Sequence, residues 1–171
     1  GIPSNAAELT RGSITLSVKD ALEQMITISH NYAALLLIEK VKRSSIQDFL
    51  KNYGFVVSTT GDTPQTTPKE IAIFLEKLYK GEFANPENTT KMMDLLKRQT
   101  KNGKLPKYLP EGTIIGHKTG EIDNFSHDAG IVFSPKGDYI IVVLSESDNP
   151  FGAEERIAEI SKAVYNYFFG V

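Results

Sequence analysis

At 171 residues, 40% of them hydrophobic, the chain is long enough for one domain that buries about 70% of its unfolded surface. A formal net charge of −2, with no basic cluster interleaved with aromatics, excludes nucleic acid and anionic membrane surfaces as expected partners. Zero cysteines exclude disulfides and thiolate metal sites, and no apolar run approaches the roughly 18 residues that span a bilayer.

The first residues, Gly1-Ile2-Pro3-Ser4-Asn5, have neither the charged leader nor the apolar core of a signal peptide. With no initiator Met, they point to a processed chain or a fragment. Ser17 followed by Asp20 reads as a capping box that opens a helix through about Ile26, with Val18, Ala21, Leu22, Met25 and Ile26 on one side. After Ser29-His30-Asn31 a second helix is expected from about Tyr32 to Lys42. Its run Ala33–Ile38 is apolar all round, the pattern of a helix buried in a core. Ser45 with Asp48 predicts a short third helix that stops at Gly54, a left-handed cap. Val56 to Thr67, rich in Ser, Thr, Gly and Pro, reads as a surface loop.

Thr67-Pro68-x-Glu70 is a strong helix start, with Ile71, Phe74, Leu75 and Leu78 at helical spacing up to Gly81. Asn85-Pro86 opens another helix carrying Met92, Met93 and Leu96. From Thr113 the period changes to two: Thr113–Gly120, Phe125–Ser134 and Tyr139–Ser147 read as strands, the last two joined by a hairpin at Pro135–Asp138. A final helix from about Gly152 to Phe168 places Ile157, Ile160, Val164 and Tyr167 on one face. The expected fold is α/β of the α+β type: helices, then an antiparallel sheet of at least three strands, then a C-terminal helix that covers it. Residues 1–171 read as a single domain. Three strands are few for this length, and an edge left open should pair with something.

Acyl transfer to a serine needs a nucleophile, a proton acceptor, oxyanion donors and a cation for a substrate carboxylate. Lys118, on a strand beside Gly120, suits the cation. Thr119 offers a hydroxyl to a carboxylate, and Gly120 lets a substrate backbone lie against the strand edge. Ser29 and Asn31, on a turn between two helices, can supply a proton-relay hydroxyl and an amide donor, and can equally cap the following helix. His30, His117 and His127 show no helical i,i+4 pair or carboxylate cluster, so no metal and no other cofactor is expected. His127 and Asp128 are adjacent strand residues that point to opposite faces, so they do not read as a dyad.

Ala21–Lys40, with Ser29-His30-Asn31 inside it, resembles the Ser-Asp-Asn region of class A β-lactamases and other penicillin-recognising serine hydrolases. Gly116-His117-Lys118-Thr119-Gly120-Glu121 and the following His127–Val132 resemble their Lys-Thr-Gly strand and its neighbour. The resemblance covers nearly the whole chain as the later two-thirds of that domain. It implies a β-lactamase/transpeptidase-like fold that acts on β-lactams or D-Ala-D-Ala peptidoglycan peptides through an acyl-enzyme, outside the cytoplasm. Carried over, Ser29 and Lys118 are catalytic, and Asn31, Thr119 and Gly120 bind substrate. A non-catalytic wall-peptide-binding or structural module of the same fold is the alternative.

The family's nucleophile motif, Ser-x-x-Lys, does not occur in these residues. Thr66-x-x-Lys69 has the spacing but straddles a helix cap. His30 stands where the family has aspartate, and Glu121 puts a carboxylate beside a carboxylate-binding strand. No glutamate lies between Glu39 and Glu70, and the loop between them offers only Asp62, so an acyl-enzyme would lack its water-activating base and persist. The chain alone is expected not to turn over substrate. The apolar helix is expected to be covered by a complementing N-terminal fragment or a swapped homodimer, or else to leave an exposed groove.

Overall fold

The computed structural model describes residues 15–61 and 63–170; the N-terminal pentapeptide and Asp62 lie outside them. Among the described residues the elements run α1 (Val18–Thr27), α2 (Asn31–Val41), α3 (Arg43–Asn52), α4 (Pro68–Tyr79), α5 (Pro86–Lys97), β1 (Ile114–Ile122), β2 (Phe125–Phe133), β3 (Tyr139–Glu146) and α6 (Pro150–Phe169). Local signals account for most of the boundaries. Ser17 Oγ accepts from the Asp20 N–H at 3.1 Å, Thr67 Oγ1 from Glu70 at 3.2 Å and Asn85 Oδ1 from Asn88 at 2.9 Å. Each such cap contributes about 1 kcal/mol. Gly54 has φ +83 just past α3, as a left-handed stop requires.

The three strands pair antiparallel in the order β1-β2-β3, with Lys118 opposite Ala129 and Gly130 opposite Ile141. Period-two alternation gives the sheet two apolar faces. Leu75 and Leu78 of α4 and Leu96 of α5 pack on Ile131, Ala129 and Val142 on one side. On the other side Ile157 of α6 packs with Val132, Ile141 and Leu105. The sheet is therefore sandwiched between helices, and the C-terminal helix covers it as the element order required. No helix among the described residues is long and apolar enough to cross a membrane.

Three expectations need correction. α3 begins at Arg43, and its N-cap position is Lys42 with no side-chain cap bond, so Ser45 lies inside the helix instead of opening it. α2, apolar all round, is only half covered: Ala33 and Leu37, one turn apart, pack on Ala21 of α1, while Leu36 and Val41 are exposed. Among the described elements α1 and α3 make its main contacts, and Ala34, Leu35 and Ile38 are only partly buried. In α6 the buried face is Ala153, Ile157, Ala158 and Ser161; Tyr167 is 85% exposed and Ile160 45%. Ile157 and Val164 of the expected face do pack on the core, where Tyr165 joins Val164 in place of Ile160 and Tyr167.

Glu70 ties the Val56–Thr67 loop to α4. Its carboxylate accepts from the N–H groups of Val56 (2.9 Å), Val57 (3.0 Å) and Ser58 (2.7 Å) and from the Ser58 hydroxyl (2.6 Å). The Ser58 hydroxyl, then the Val57 N–H, hold this carboxyl below its ordinary range. A carboxyl depressed in the folded state stabilises above its unfolded pKa, and the benefit is lost as pH falls through the folded value. Glu70→Gln is therefore expected to lower the Tm at neutral pH, with the gap to wild type closing on acidification. Thermal melts of both proteins from neutral to acid pH check this.

Candidate active site

The turn that carries Ser29 is built by the end of α1. The N–H groups of Ile28 and His30 both donate to Gln24 O, at 3.3 and 3.1 Å, which forces Ser29 into the left-handed region at φ +57. A non-glycine residue there costs about 1–2 kcal/mol and is a recurrent mark of a site that needs a side chain aimed in one direction. α2 starts at once. Its cap is the His30 imidazole, whose Nδ1 accepts from the Ala33 N–H at 3.2 Å, so neither Ser29 nor Asn31 caps the helix. The departure from aspartate at position 30 thus keeps an acceptor at the head of α2.

Lys118 reaches this turn from β1, 89 residues away in sequence. Its Nζ donates to Ser29 Oγ at 2.5 Å and to the Thr119 carbonyl at 2.7 Å. Burial first, then the neighbouring Lys101 charge, pushes the Lys118 ammonium down to about 8; Asp128 and Glu121 act against the shift, and Lys104 adds to it. Alternation along β1 sends Thr119 to the other face, where it is 6% exposed. Gly120 faces His127 across the pair, and a Cβ there would meet the His127 Cβ and Cδ2 at ordinary distances of 3.6 and 3.7 Å. Asn31 is half-buried at the first position of α2. The fold therefore joins Ser29 to Lys118 directly and sets Asn31, Thr119 and Gly120 within one or two residues of that contact along the chain.

The wall of the site is the connection from Arg98 to Thr113, which sequence reasoning left without a role. Gln99, 5% exposed, is its anchor. Its Nε2 donates to Ile26 O at 2.5 Å and to Ser29 Oγ at 3.4 Å, while its Oε1 accepts from the N–H groups of Thr100 and Lys101, both at 2.9 Å. Thr100 adds N–H and hydroxyl bonds to Thr27 O. One amide thus fixes the end of α1, the Ser29 turn and the connection together. Gln99→Ala strands the backbone groups it serves, at a cost of about 1–3 kcal/mol. Denaturant melts are expected to record that loss without a change in far-UV circular dichroism.

Glu121 does not stand bare beside Lys118. Its carboxylate accepts from Lys104 Nζ at 2.8 Å and lies 3.8 Å from Lys101 Nζ; burial acts to raise it, but the Lys104 bond and the nearby lysines together hold it below its ordinary range. Lys104 is 2% exposed and also donates to His127 O at 3.2 Å. Two cations thus outweigh the carboxylate whose repulsion was expected. Behind them His117 Nδ1 lies 2.9 Å from Asp128 Oδ1, both almost fully buried, and its Nε2 lies 3.3 Å from Asn102 Oδ1. Asp128 also accepts from the Leu105 N–H at 3.1 Å. His127 bonds elsewhere, its Nδ1 accepting from Ser145 N–H at 3.1 Å. The partner of Asp128 is the histidine diagonally across the strand pair, a relation visible only once the register is known. The run Lys97–Lys107, with its four lysines and Arg98, was the available signal for the cationic wall.

The sequence matches the model for the Beta-lactamase enzyme family over residues 4–168. No curated protein matches it. Among solved structures it is similar to PBP-A, with a TM-score of 0.87 at 26% identity, covering 95% of this chain and 65% of that one. A β-lactamase from Sphaerobacter thermophilus DSM 20745 matches with a TM-score of 0.87 at 25% identity, over 95% of this chain and 67% of that one. The TLA-3 extended-spectrum β-lactamase gives 0.85 at 25% identity, over 91% and 66%. This chain spans about two thirds of the length of each. With the family match running through almost all of its residues and the same fold in these structures, the chain belongs to the β-lactamase enzyme family.

Proposed function

We propose that this chain is the substrate-holding part of a β-lactamase-like serine hydrolase domain, acting on β-lactams or D-Ala-D-Ala wall peptides outside the cytoplasm. In this reading Lys118 holds the substrate carboxylate, and the Thr119 hydroxyl, on the opposite face of β1, meets it across that strand's outer edge. Ser29 relays a proton, Asn31 binds the substrate amide carbonyl, and Gly120 lets the substrate lie along β1. The attacking serine of a Ser-x-x-Lys helix would come from a segment or chain outside these residues. The observation that carries the reading is the 2.5 Å contact between Lys118 Nζ and Ser29 Oγ. It puts a desolvated cation and a hydroxyl at the mouth of one turn, the pair that carboxylate capture and proton relay require. A mutant of the similar PBP-A has been solved as an acyl-enzyme complex with penicillin G, which supports the substrate class.

Two features support a completing segment. Among the described residues β3 pairs only with β2, leaving the outer edge of Tyr139–Glu146 without a strand. The apolar residues Val18, Leu22, Leu36 and Val41 of α1 and α2 are exposed. A complementing N-terminal fragment or a swapped homodimer would cover them. Intact-mass measurement and light scattering test this, and a monomer with no second chain counts against it.

The functional test is fluorescent penicillin applied to the product of the full coding sequence. One covalent label per chain, lost in Lys118→Ala, is the expected result. Absence of label with retained binding of a D-Ala-D-Ala peptide favours the second reading, a non-catalytic wall-peptide-binding module, which the lack of Ser-x-x-Lys in these residues supports. Absence of both overturns the proposal.

A further inference from the structure

The contact between Ser29 and Lys118 has the parts of a complete nucleophile and base. Ser29 Oγ is 2.5 Å from an amine that burial and neighbouring lysines bring to about 8, so roughly a tenth of it is free base at pH 7 and about half near pH 8. The serine sits at φ +57, strained on a tight turn between two helices, and is half-buried rather than sealed. Gln99 Nε2 also reaches Oγ at 3.4 Å, and the positive end of the eleven-residue α2 begins two residues later. The charged groups that face Lys118 are Lys101 and Lys104 from the connection, Glu121 from β1 and Asp128 from β2.

We infer that Ser29 and Lys118 form a Ser–Lys dyad in which Ser29 is itself an attacking group, able to take an acyl group from an activated ester without the Ser-x-x-Lys segment. The Ser29 hydroxyl proton passes to the neutral Lys118 amine as Oγ attacks the ester carbonyl carbon. The tetrahedral adduct collapses with loss of the phenolate, leaving an acyl ester on Ser29 and an ammonium on Lys118. Among the described residues no carboxylate bonds to Ser29 or to Lys118 Nζ that could activate water against that ester, so one turnover is expected per chain. The inference goes beyond the carboxylate-holding role proposed above and stands apart from it, because the probe carries no carboxylate.

The test is 4-nitrophenyl acetate mixed with the 171-residue chain, following nitrophenolate release and mapping the acetyl group by peptide mass spectrometry. Wild type is expected to release one equivalent in a burst, with the acetyl group on Ser29 and a rate that rises with pH through about 8. Ser29→Ala abolishes the burst. Lys118→Arg keeps the charge but cannot surrender its proton, and is expected to slow the burst by about a hundredfold or more. Circular dichroism and thermal melts establish that each variant is folded. A burst unchanged in Ser29→Ala, an acetyl group found only on lysines, a wild-type rate in Lys118→Arg, or no burst from the folded wild type would each overturn the dyad. The fluorescent penicillin result is independent of all four.

Discussion

Lys118→Met is expected to make the protein more stable at neutral pH while removing its hold on a carboxylate ligand. The ammonium is lowered from 10.5 to about 8, chiefly because burial penalises the charged form. Between those two values the unfolded chain binds a proton that the folded chain does not, so folding stability rises with pH across that window and the penalty is complete below it. Methionine fills the same stem volume without the charge. The gain at pH 7, after allowing for the lost bonds to Ser29 and Thr119 O, is about 1–2 kcal/mol. It should vanish as pH climbs through the window. Binding of an anionic ligand should fall by about tenfold or more in the same variant, since a charge-assisted bond is worth about 1.5–3 kcal/mol. Wild-type binding should itself weaken as pH rises through about 8, and Lys118→Arg should not show that decline. Melts and ligand titrations across that range settle both signs. A variant less stable than wild type at pH 7 would mean that the two hydrogen bonds outweigh the buried charge. Stability sacrificed at Lys118 is the exchange expected of the binding role proposed for it.

Gly130→Ala should cause the largest structural damage. A Cβ on Gly130 would lie 2.7 Å from His117 Cβ, 2.9 Å from the Gly116 carbonyl oxygen and 3.2 Å from His117 Cα. Two of those atoms are backbone, so no rotamer change relieves the overlap and β1 must move off β2. Overpacking of this kind costs about 1–3 kcal/mol, and more where backbone has to shift. For a chain of this size each kcal/mol lowers the Tm by roughly 2–4 °C. The displaced strand carries Lys118, so the bond to Ser29 and the His117–Asp128 contact should loosen together. His117→Ala should not rescue the variant, because the overlap is with Cβ, Cα and a carbonyl rather than with the ring. Full recovery in the double variant would show that the imidazole was the obstacle.

The helices and strands were readable because their signals are local. Ser17, Thr67-Pro68 and Asn85-Pro86 mark starts by the chemistry of capping, and period two from Thr113 onward marks strands. α3 was misplaced because Ser45 can cap, yet the chain had already turned into helix at Arg43 after Lys42 took φ +71. The face of α6 was read correctly at Ile157 and Val164 but not at Ile160 and Tyr167, because a twenty-residue helix offers several apolar stripes and only the sheet beneath selects one. α2 looked like a core helix because composition reports hydrophobicity and not what covers it. The connection carrying Gln99, Lys101 and Lys104 has no period at all, and its side chains bond to groups as far as 73 residues away.

By itself the sequence determined the order and kind of the elements, the absence of disulfides, and the two triplets at Ser29 and Lys118 on which the family resemblance rests. Only the tertiary structure decided that these triplets meet within a hydrogen bond, that His117 belongs with Asp128, and that Glu121 is neutralised by lysines. Capping and periodicity are set by neighbours a few residues apart. Charge pairing, burial and the resulting descent of Lys118 depend on which distant segments the packed sheet brings together.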